Sequence, residues 1–138
     1  MSTPIASVMT KSPVSIKPTD SLLSATRTLK EKGFKHLPVL DGSGKLVGVV
    51  TDRDLKRASA SDATTLEVHE LLYLLDKVKI EQVMTRKALS VPPTETVQGA
   101  AKLMVERKIG CLPVVENGKL TGIVTKDDLL RVLSRSAI

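Results

Sequence analysis

The sequence contains one motif twice, and this repetition limits the possible fold more than any other feature. Residues 37–55 read as two short β-branched strands around a Gly-containing turn, followed directly by a helix that opens Thr-x-x-Asp. Residues 112–129 repeat that order. A glycine turn between two such runs is typical of a β-hairpin. The tripeptide Val-Met-Thr at 8–10 also recurs at 83–85, so the repeat begins well upstream of the hairpins.

Each copy has a further predicted strand and helix ahead of its hairpin. The strands are expected at 14–16 and 89–91, where alternating residues run up to a proline. Thr19 or Asp20 is expected to cap a helix that runs to about Lys32 and ends at the next glycine. The corresponding helix of the second copy has apolar residues at helical spacing, namely Val97, Ala100 and Met104.

The order strand, helix, hairpin, helix in both copies predicts an α/β fold. The closing helices are expected from Asp52 to about Ala58 and from Lys126 to about Ser134. Two copies are too few for a solenoid. We therefore expect a pair packed about a pseudo-twofold axis, in which each half covers the apolar face of the other.

The repeat predicts three segments: a first motif at 1–58, a linker at 59–79 and a second motif at 80–138. Within the linker a helix is predicted from Leu66 to Val78, and its leucines form a broad apolar face. That face either packs on the pair or contacts a second subunit.

The charge and the aromatic content restrict the class of partner. The net charge is +6, but lysine and arginine are spread along the chain, which fits a solvated basic surface or a phosphate-bearing ligand. Phe34 and Tyr73 are the only aromatic residues, and binding of single-stranded nucleic acid usually needs aromatic rings for base stacking. These criteria argue against nucleic acid as a partner.

The compartment is predicted from what the sequence contains near its start and from its cysteine usage. Cys111 is the only cysteine, so it gives no sign of an oxidising compartment. The first residues lack the basic start and apolar run of a signal peptide, and no apolar run approaches the ~18 residues of a membrane span. We expect a cytoplasmic protein without a membrane partner.

The two strand-to-helix junctions carry the residues with the clearest chemical potential. Thr51 and Thr125 lie where a strand gives way to a helix, beside N–H groups expected to be unpaired and partly positive. A hydroxyl and free amides suit a phosphate. Asp54 and Asp128 can accept the two hydroxyls of a ribose, as the acidic residue of a dinucleotide fold does. Together these residue types describe a nucleotide site.

An alternative interpretation of the same residues is structural. Thr-x-x-Asp is also a capping box, in which the threonine caps the helix and the acid bonds back to the threonine amide. Gly48 and Gly122 precede the junctions and allow close approach of either a ligand or another part of the backbone. The local sequence alone leaves both interpretations open.

The complete pattern resembles the CBS motif (cystathionine-β-synthase domain), and the two copies resemble a CBS pair, or Bateman module. The resemblance covers residues from 8 to about 133 and includes Val-Met-Thr, Leu-Pro-Val and Gly-x-x-Thr-x-x-Asp in the same order twice. It implies crevices that bind adenosine-containing ligands, such as AMP, ADP, ATP or S-adenosylmethionine. CBS pairs commonly dimerise, so the resemblance also implies a homodimer.

The resemblance also implies which residues contact the ligand. Asp54 and Asp128 correspond to ribose contacts, and Thr51 and Thr125 to positions beside the phosphates. The residues ahead of and within the first hairpin strand correspond to further contacts, namely Lys35, His36 and Leu37 in the first copy and Gly110, Cys111 and Leu112 in the second. Backbone groups that line the adenine correspond to Ser12, Pro13, Val14, Lys87, Ala88 and Leu89.

The two implied sites differ in charge. The first copy has the basic pair Lys35 and His36 where the second has Gly110 and Cys111, while Arg53 and Lys126 add charge within the junctions. Phosphate-rich ligands are therefore expected to favour the first site. Without a neighbouring activating group, the cysteine is predicted to be a small buried residue rather than a nucleophile.

A closer resemblance is to the CBS half of acetoin-utilisation-type proteins, which carry a further C-terminal ACT-like domain. It is carried by residues 51–59, 109–115 and 126–131. The leading hypothesis is a sensor that binds an adenosine ligand and signals to another protein. The alternative is a constitutive dimerisation module whose junction residues are only helix caps. An enzyme has little support, because no nucleophile–base pair or metal-ligand spacing is present.

Overall fold

The computed structural model describes residues 3–60, 68–86 and 89–135, with side chains at all of these except 58–60, 68, 69 and 71. The chain has a mixed α/β fold, as predicted. The helices are α1 (Leu22–Lys32), α2 (Asp52–Ala60), α3 (Val68–Lys77), α4 (Val97–Arg107) and α5 (Lys126–Arg135). The strands are β1 (Thr10–Lys11), β2 (His36–Leu40), β3 (Leu46–Thr51), β4 (Thr85–Arg86), β5 (Cys111–Glu116) and β6 (Lys119–Thr125).

Both predicted hairpins are confirmed. Strands β2 and β3 pair antiparallel, and β5 and β6 do the same. The turn of the second hairpin places Asn117 at φ 53° and Gly118 at φ 77°, left-handed conformations that asparagine and glycine tolerate best. Each second strand runs directly into a helix, so both strand-to-helix junctions exist as predicted.

The first helix of the first copy begins one or two residues later than expected. Ser21, rather than Thr19 or Asp20, is the N-cap of α1, and its side chain accepts a hydrogen bond from the Ser24 amide. The Asp20 carboxylate instead accepts from the Lys17 amide, so it shapes the preceding turn. Gly33 ends α1 at φ 69°, as predicted.

The predicted strands at 14–16 and 89–91 are reduced to single bridges. Ile16 pairs in parallel with Val39, and Val91 pairs in parallel with Val114. Pro18 lies two residues after Ile16, and Pro92 directly follows Val91; proline has no amide hydrogen to extend a ladder. The segments therefore contribute one residue each to the edge of a hairpin.

The third strand of each sheet comes from the other copy of the repeat. Strand β1 pairs with β6, with Thr10 opposite Ile123, and β4 pairs with β3, with Thr85 opposite Val49. The resulting strand orders are β1-β6-β5 and β2-β3-β4. The two Val-Met-Thr segments are thus exchanged between the copies.

This exchange divides the chain into two compact units that differ from the sequence repeats. One unit is Val14–Lys87, and the other joins Met1–Pro13 to Ala88–Ile138. Each unit has its own core of aliphatic residues; Leu37, Val39 and Val50 are fully buried in the first, and Leu112 and Val114 in the second. Each unit also contains one complete strand-to-helix junction.

The linker helix contributes to one of these cores. Leu75 is buried and packs with Val78 in the core of the Val14–Lys87 unit, so packing of the linker helix is confirmed for these residues. Leu72 and Leu74 of the same helix are 40% and 37% exposed. The predicted start of the helix at residue 66 lies outside the described residues.

Candidate functional site

The first junction forms a complete capping box. The Thr51 amide donates to Asp54 Oδ2 at 3.0 Å, and the Asp54 amide donates to Thr51 Oγ1 at 3.1 Å. This reciprocal pair arises because the threonine ends β3 and the aspartate lies three residues into the junction, which brings each side chain to the other's amide. The structural interpretation of the motif is therefore confirmed here.

The second junction repeats the same geometry. The Thr125 amide donates to Asp128 Oδ2 at 2.9 Å, and the Asp128 amide donates to Thr125 Oγ1 at 3.3 Å. An ionised carboxylate has about four acceptor positions on its two oxygens, and the capping box uses one of them. Capping a helix and accepting hydroxyl groups from a ligand are therefore compatible roles for one aspartate.

The amides at the start of both helices are not unpaired, contrary to the sequence-based expectation. The Asp52 amide donates to the Lys35 carbonyl at 2.9 Å, and the Lys126 amide donates to the Gly110 carbonyl at 3.1 Å. The neighbouring strand enters each junction closely enough to supply these acceptors. A phosphate at either junction would therefore depend on side-chain cations more than on these amides.

The structure brings the predicted residues of the first hairpin strand next to each junction. His36 lies directly opposite Thr51 in the β2–β3 ladder, and Cys111 lies opposite Thr125 in the β5–β6 ladder. The following residues, Leu37 and Leu112, have 0% exposure. Their side chains lie in the cores and are therefore not available as ligand contacts.

Exposed cations lie next to both junctions in the sequence. Lys35 and Arg53 are both exposed beside the first junction, while Lys126 is the exposed cation at the start of the second helix. Lysine and arginine side chains on flexible stems can reach an anionic ligand without displacing the capping box.

The residues implied as adenine contacts divide between the two units. Ser12 has φ 47°, and its amide donates to the Thr121 carbonyl at 3.3 Å, so it lies in the unit of the second junction. Val14 belongs to the Val14–Lys87 unit and packs against the core of that unit. Leu89 is 38% exposed, whereas Lys87 and Ala88 lie outside the described residues.

One contact distinguishes the second junction from the first. Arg131 Nη1 donates to Asp128 Oδ1 at 2.9 Å, forming an ion pair with a carboxylate that is only 9% exposed. Sequence reasoning missed Arg131 as a residue of the site. The available signal was the spacing Asp-x-x-Arg, which places both side chains on one face of a helix.

Cys111 is a buried, free thiol. Burial raises the pKa of Cys111 to about 12, because the thiolate would lose its hydration. The thiol therefore stays protonated at neutral pH, which agrees with the prediction of a small buried residue rather than a nucleophile.

Two kinds of feature are absent from the described ranges. Residues 3–60, 68–86 and 89–135 contain no cluster of three or more His, Cys, Asp or Glu side chains placed to hold a metal ion. Within the same part of the chain, no helix has both the length and the apolar character needed to cross a membrane.

Two hairpin-and-helix copies with equivalent Thr-x-x-Asp junctions form a tandem α/β module. The family model of the CBS domain matches residues 5–61 and 80–135. The chain belongs to the CBS-domain family and forms a single CBS pair, as the sequence resemblance implied.

Several solved structures share this fold over nearly the whole chain. The CBS domain pair of protein MJ0100, in complex with 5′-methylthioadenosine and S-adenosyl-L-methionine, matches with a TM-score of 0.83 and 29% identity, over 97% of this chain and 98% of that one. CBSX2 in complex with AMP matches at 0.79 and 32%, over 96% and 97%. An acetoin utilization protein from Vibrio cholerae matches at 0.80 and 28%, over 97% and 92%.

Curated relatives include both short and long proteins. A CBS domain-containing protein of Dictyostelium discoideum is 34% identical over 130 residues, which are 94% of this chain and 90% of that protein. A homoserine O-acetyltransferase of Methanococcoides burtonii is 34% identical over 132 residues, which are 95% of this chain but 24% of the enzyme. This chain thus spans about a quarter of the length of that enzyme.

Proposed function

We propose that this chain is a regulatory module that binds an adenosine ligand (AMP, ADP, ATP or S-adenosylmethionine) and signals its occupancy to a partner protein. The observation that carries the proposal is the pair of junction aspartates, each held in place by its capping box with acceptor positions left over. Two CBS pairs of the same fold were solved with adenosine ligands, which supports this ligand class.

In the proposed sites, different residues of each junction bind the ribose and the phosphates of the ligand. Asp54 and Asp128 accept the ribose hydroxyls, while Thr51 and Thr125 lie beside the phosphates. The cations Lys35, Arg53 and Lys126 neutralise phosphate charge, and His36 contributes at the first site. Backbone groups at 12–14 and 87–89 line the adenine, and those at Leu37, Gly110, Cys111 and Leu112 complete the contacts.

The proposed module acts by binding rather than by catalysis, in the cytoplasm and as a homodimer. The homoserine O-acetyltransferase matches this chain over only a quarter of its own length, so its activity is not proposed for this chain. Exposed Leu72 and Leu74 on α3, with Leu130 and Leu133 on α5, are apolar surface suited to burial between copies.

A constitutive dimerisation module is the second candidate. It is favoured by the complete capping boxes, because these give Thr51, Asp54, Thr125 and Asp128 a structural role that needs no ligand. Under this alternative the chain dimerises at all times and adenosine ligands have no effect on it.

Thermal unfolding with and without ligand separates the two candidates. Ligand at about 100 times its dissociation constant should raise the free energy of unfolding by ~2.7 kcal/mol, because it binds the folded state alone. AMP, ADP, ATP and S-adenosylmethionine are the test ligands, and a short DNA duplex at physiological salt is the control. A melting temperature unmoved by every adenosine ligand at millimolar concentration favours the dimerisation module.

A charge variant tests the phosphate assignment. Lys35→Ala should weaken the binding of ATP more than that of AMP, and the binding of adenosine least, because Coulomb attraction grows with ligand charge. The control is Lys45→Ala, which removes an exposed lysine from the first hairpin turn instead. Equal losses for adenosine and ATP in the Lys35 variant argue against a phosphate contact.

A further inference from the structure

The two junctions have the same sequence spacing but different contacts. Both copies read Thr-x-x-Asp-x-x-Arg, at 51–57 and 125–131. Arg131 forms an ion pair with Asp128, whereas the contacts of residues 3–60 include no ion pair between Arg57 and Asp54. The same residue types therefore produce two electrostatically different carboxylates.

The difference lies on the carboxylate oxygen that the capping box does not use. In both junctions Oδ2 of the aspartate accepts the threonine amide. Oδ1 of Asp128 also accepts from the guanidinium of Arg131, at 2.9 Å. A ribose that approaches Asp128 must displace this guanidinium or share the carboxylate with it, while Asp54 presents its Oδ1 without that competitor.

We propose that Arg131 competes with the ribose for Asp128, so that the first junction is the stronger adenosine site and fills first. This inference rests on the proposed function, since it assigns an order to the same two sites. The Arg131 side chain is 60% exposed, and ion pairs with one solvated partner are weak. The competition therefore tunes the second site, by about two- to fivefold in affinity, rather than closing it.

The test removes the guanidinium and follows adenosine itself by calorimetry. Arg131→Met keeps an apolar stem of similar reach but has no donor for Asp128, and Arg57→Met is the matched control in the first copy. Asp54→Asn and Asp128→Asn assign the two binding steps to their sites. Adenosine is the probe because it has no phosphate that could attract either arginine.

The unmodified chain should bind adenosine in two steps, the stronger one lost in Asp54→Asn. Arg131→Met should raise the affinity of the weaker step by about two- to fivefold and leave the stronger step unchanged. Arg57→Met should change neither step. Thermal unfolding of both arginine variants checks that their folds are intact.

Three results overturn the inference in distinguishable ways. If Arg131→Met leaves or lowers the weaker affinity for adenosine, Arg131 does not compete, and the proposed function is unaffected. If that variant weakens the binding of AMP but not that of adenosine, Arg131 is a phosphate contact instead. If no variant and no unmodified chain binds adenosine or any adenine nucleotide, the proposed function fails and the inference fails with it.

Discussion

Asp54 and Asp128 each stabilise the start of a helix with one carboxylate oxygen. The bond from the threonine amide fixes the rotamer of the aspartate, so the rest of the carboxylate is held in a defined direction. A ligand that binds there does not have to order the side chain itself, and preorganisation of this kind lowers the entropic cost of binding. Under the proposed function, the capping box supports a binding residue rather than providing an alternative to one.

Substitution of Asp54 separates these two roles. Asp54→Ala should lower the free energy of unfolding by about 1 kcal/mol, because the box loses its acid. It should also weaken adenosine ligands roughly ten- to a hundredfold, because a charge-assisted hydrogen bond contributes ~1.5–3 kcal/mol. Thermal unfolding measures the first effect and calorimetry the second.

The matched control is Asp52→Ala in the same helical turn. The Asp52 carboxylate lies 3.8 Å from the Lys56 ammonium on the surface and takes no part in the box. Its removal should change neither the free energy of unfolding nor the affinity for adenosine ligands by much. A lower melting temperature with unchanged affinity in Asp54→Ala would mean that this aspartate is a cap alone.

The burial of Cys111 predicts a loss of folding stability at alkaline pH. Its pKa is about 12 in the folded chain and near the ordinary 9.0 when unfolded, so the unfolded chain releases this proton first. The stability that the protonated thiol contributes is complete below pH 9.0 and is lost as the pH rises through about 12. Urea unfolding across this range should show a steeper loss for the unmodified chain than for Cys111→Ala.

Reactivity of the same thiol gives an independent measurement. At about pH 8 iodoacetamide should alkylate the folded chain far more slowly than the chain in urea, because only the thiolate reacts. Equal rates in the two states would contradict the burial of Cys111.

The capping-box geometry of the junctions could be predicted from the sequence, but their electrostatic difference could not. Threonine and aspartate at a fixed spacing determine the capping box locally, so this geometry was accessible in advance. The spacing Asp-x-x-Arg is the same in both copies, so the spacing alone does not distinguish Arg57 from Arg131. Which arginine turns toward its aspartate depends on the packing around each helix, which a single sequence does not reveal.

Among the elements, the short strands β1 and β4 depend on close backbone approach. An added Cβ at Gly122 would lie 2.5 Å from Met9 Sδ and 2.9 Å from the Thr10 carbonyl oxygen. At Gly48 it would lie 2.8 Å from both Met84 Sδ and the Thr85 carbonyl oxygen. Of the two roles considered for these glycines, the approach of another part of the backbone is confirmed.

A single methyl group tests this role. Gly122→Ala should cost about 1–3 kcal/mol of stability, because the carbonyl of β1 is backbone and cannot rotate away. The control is Gly42→Ala, where an added Cβ meets no atom within 4 Å. Denaturant unfolding compares the two variants, and equal stability would show that β1 tolerates a wider separation from β6.

The hairpins were predictable as elements, whereas the exchange of β1 and β4 was not. A hairpin is closed by a few residues that carry their own turn signal, as Asn117 and Gly118 do. Strand β1 has two residues, and its partner β6 lies more than a hundred residues further along the chain. Such a pairing is decided by tertiary packing, and the repeated Val-Met-Thr indicated a repeat without indicating its partner.

At the scale of the whole molecule, each compact unit contains segments from both sequence copies. Ile5 has 0% exposure in the core around the second hairpin, and its amide donates to the Glu95 carbonyl at 2.7 Å. Ile80 is buried to the same extent in the core around the first hairpin. The two copies therefore do not correspond to separable folding modules.

Removal of residues 1–11 tests this arrangement. The truncation deletes Ile5 and β1, so hydrogen exchange should accelerate in β5 and β6 much more than in β2 and β3. Loss of the buried isoleucine alone costs on the order of 2–5 kcal/mol. Uniform loss of protection would contradict the division, as would faster exchange confined to the Val14–Lys87 unit.

The exchanged strand also sets an order of events during synthesis on the ribosome. The Val14–Lys87 unit has all its parts once Lys87 has emerged, whereas the other unit waits for β6, which pairs Ile123 with Thr10. At about 5–20 residues per second, Thr10 waits on the order of ten seconds for its partner strand. Strand β1 is thus translated long before its partner strand but is among the last elements to pair, and until then its backbone is accessible to chaperones and proteases.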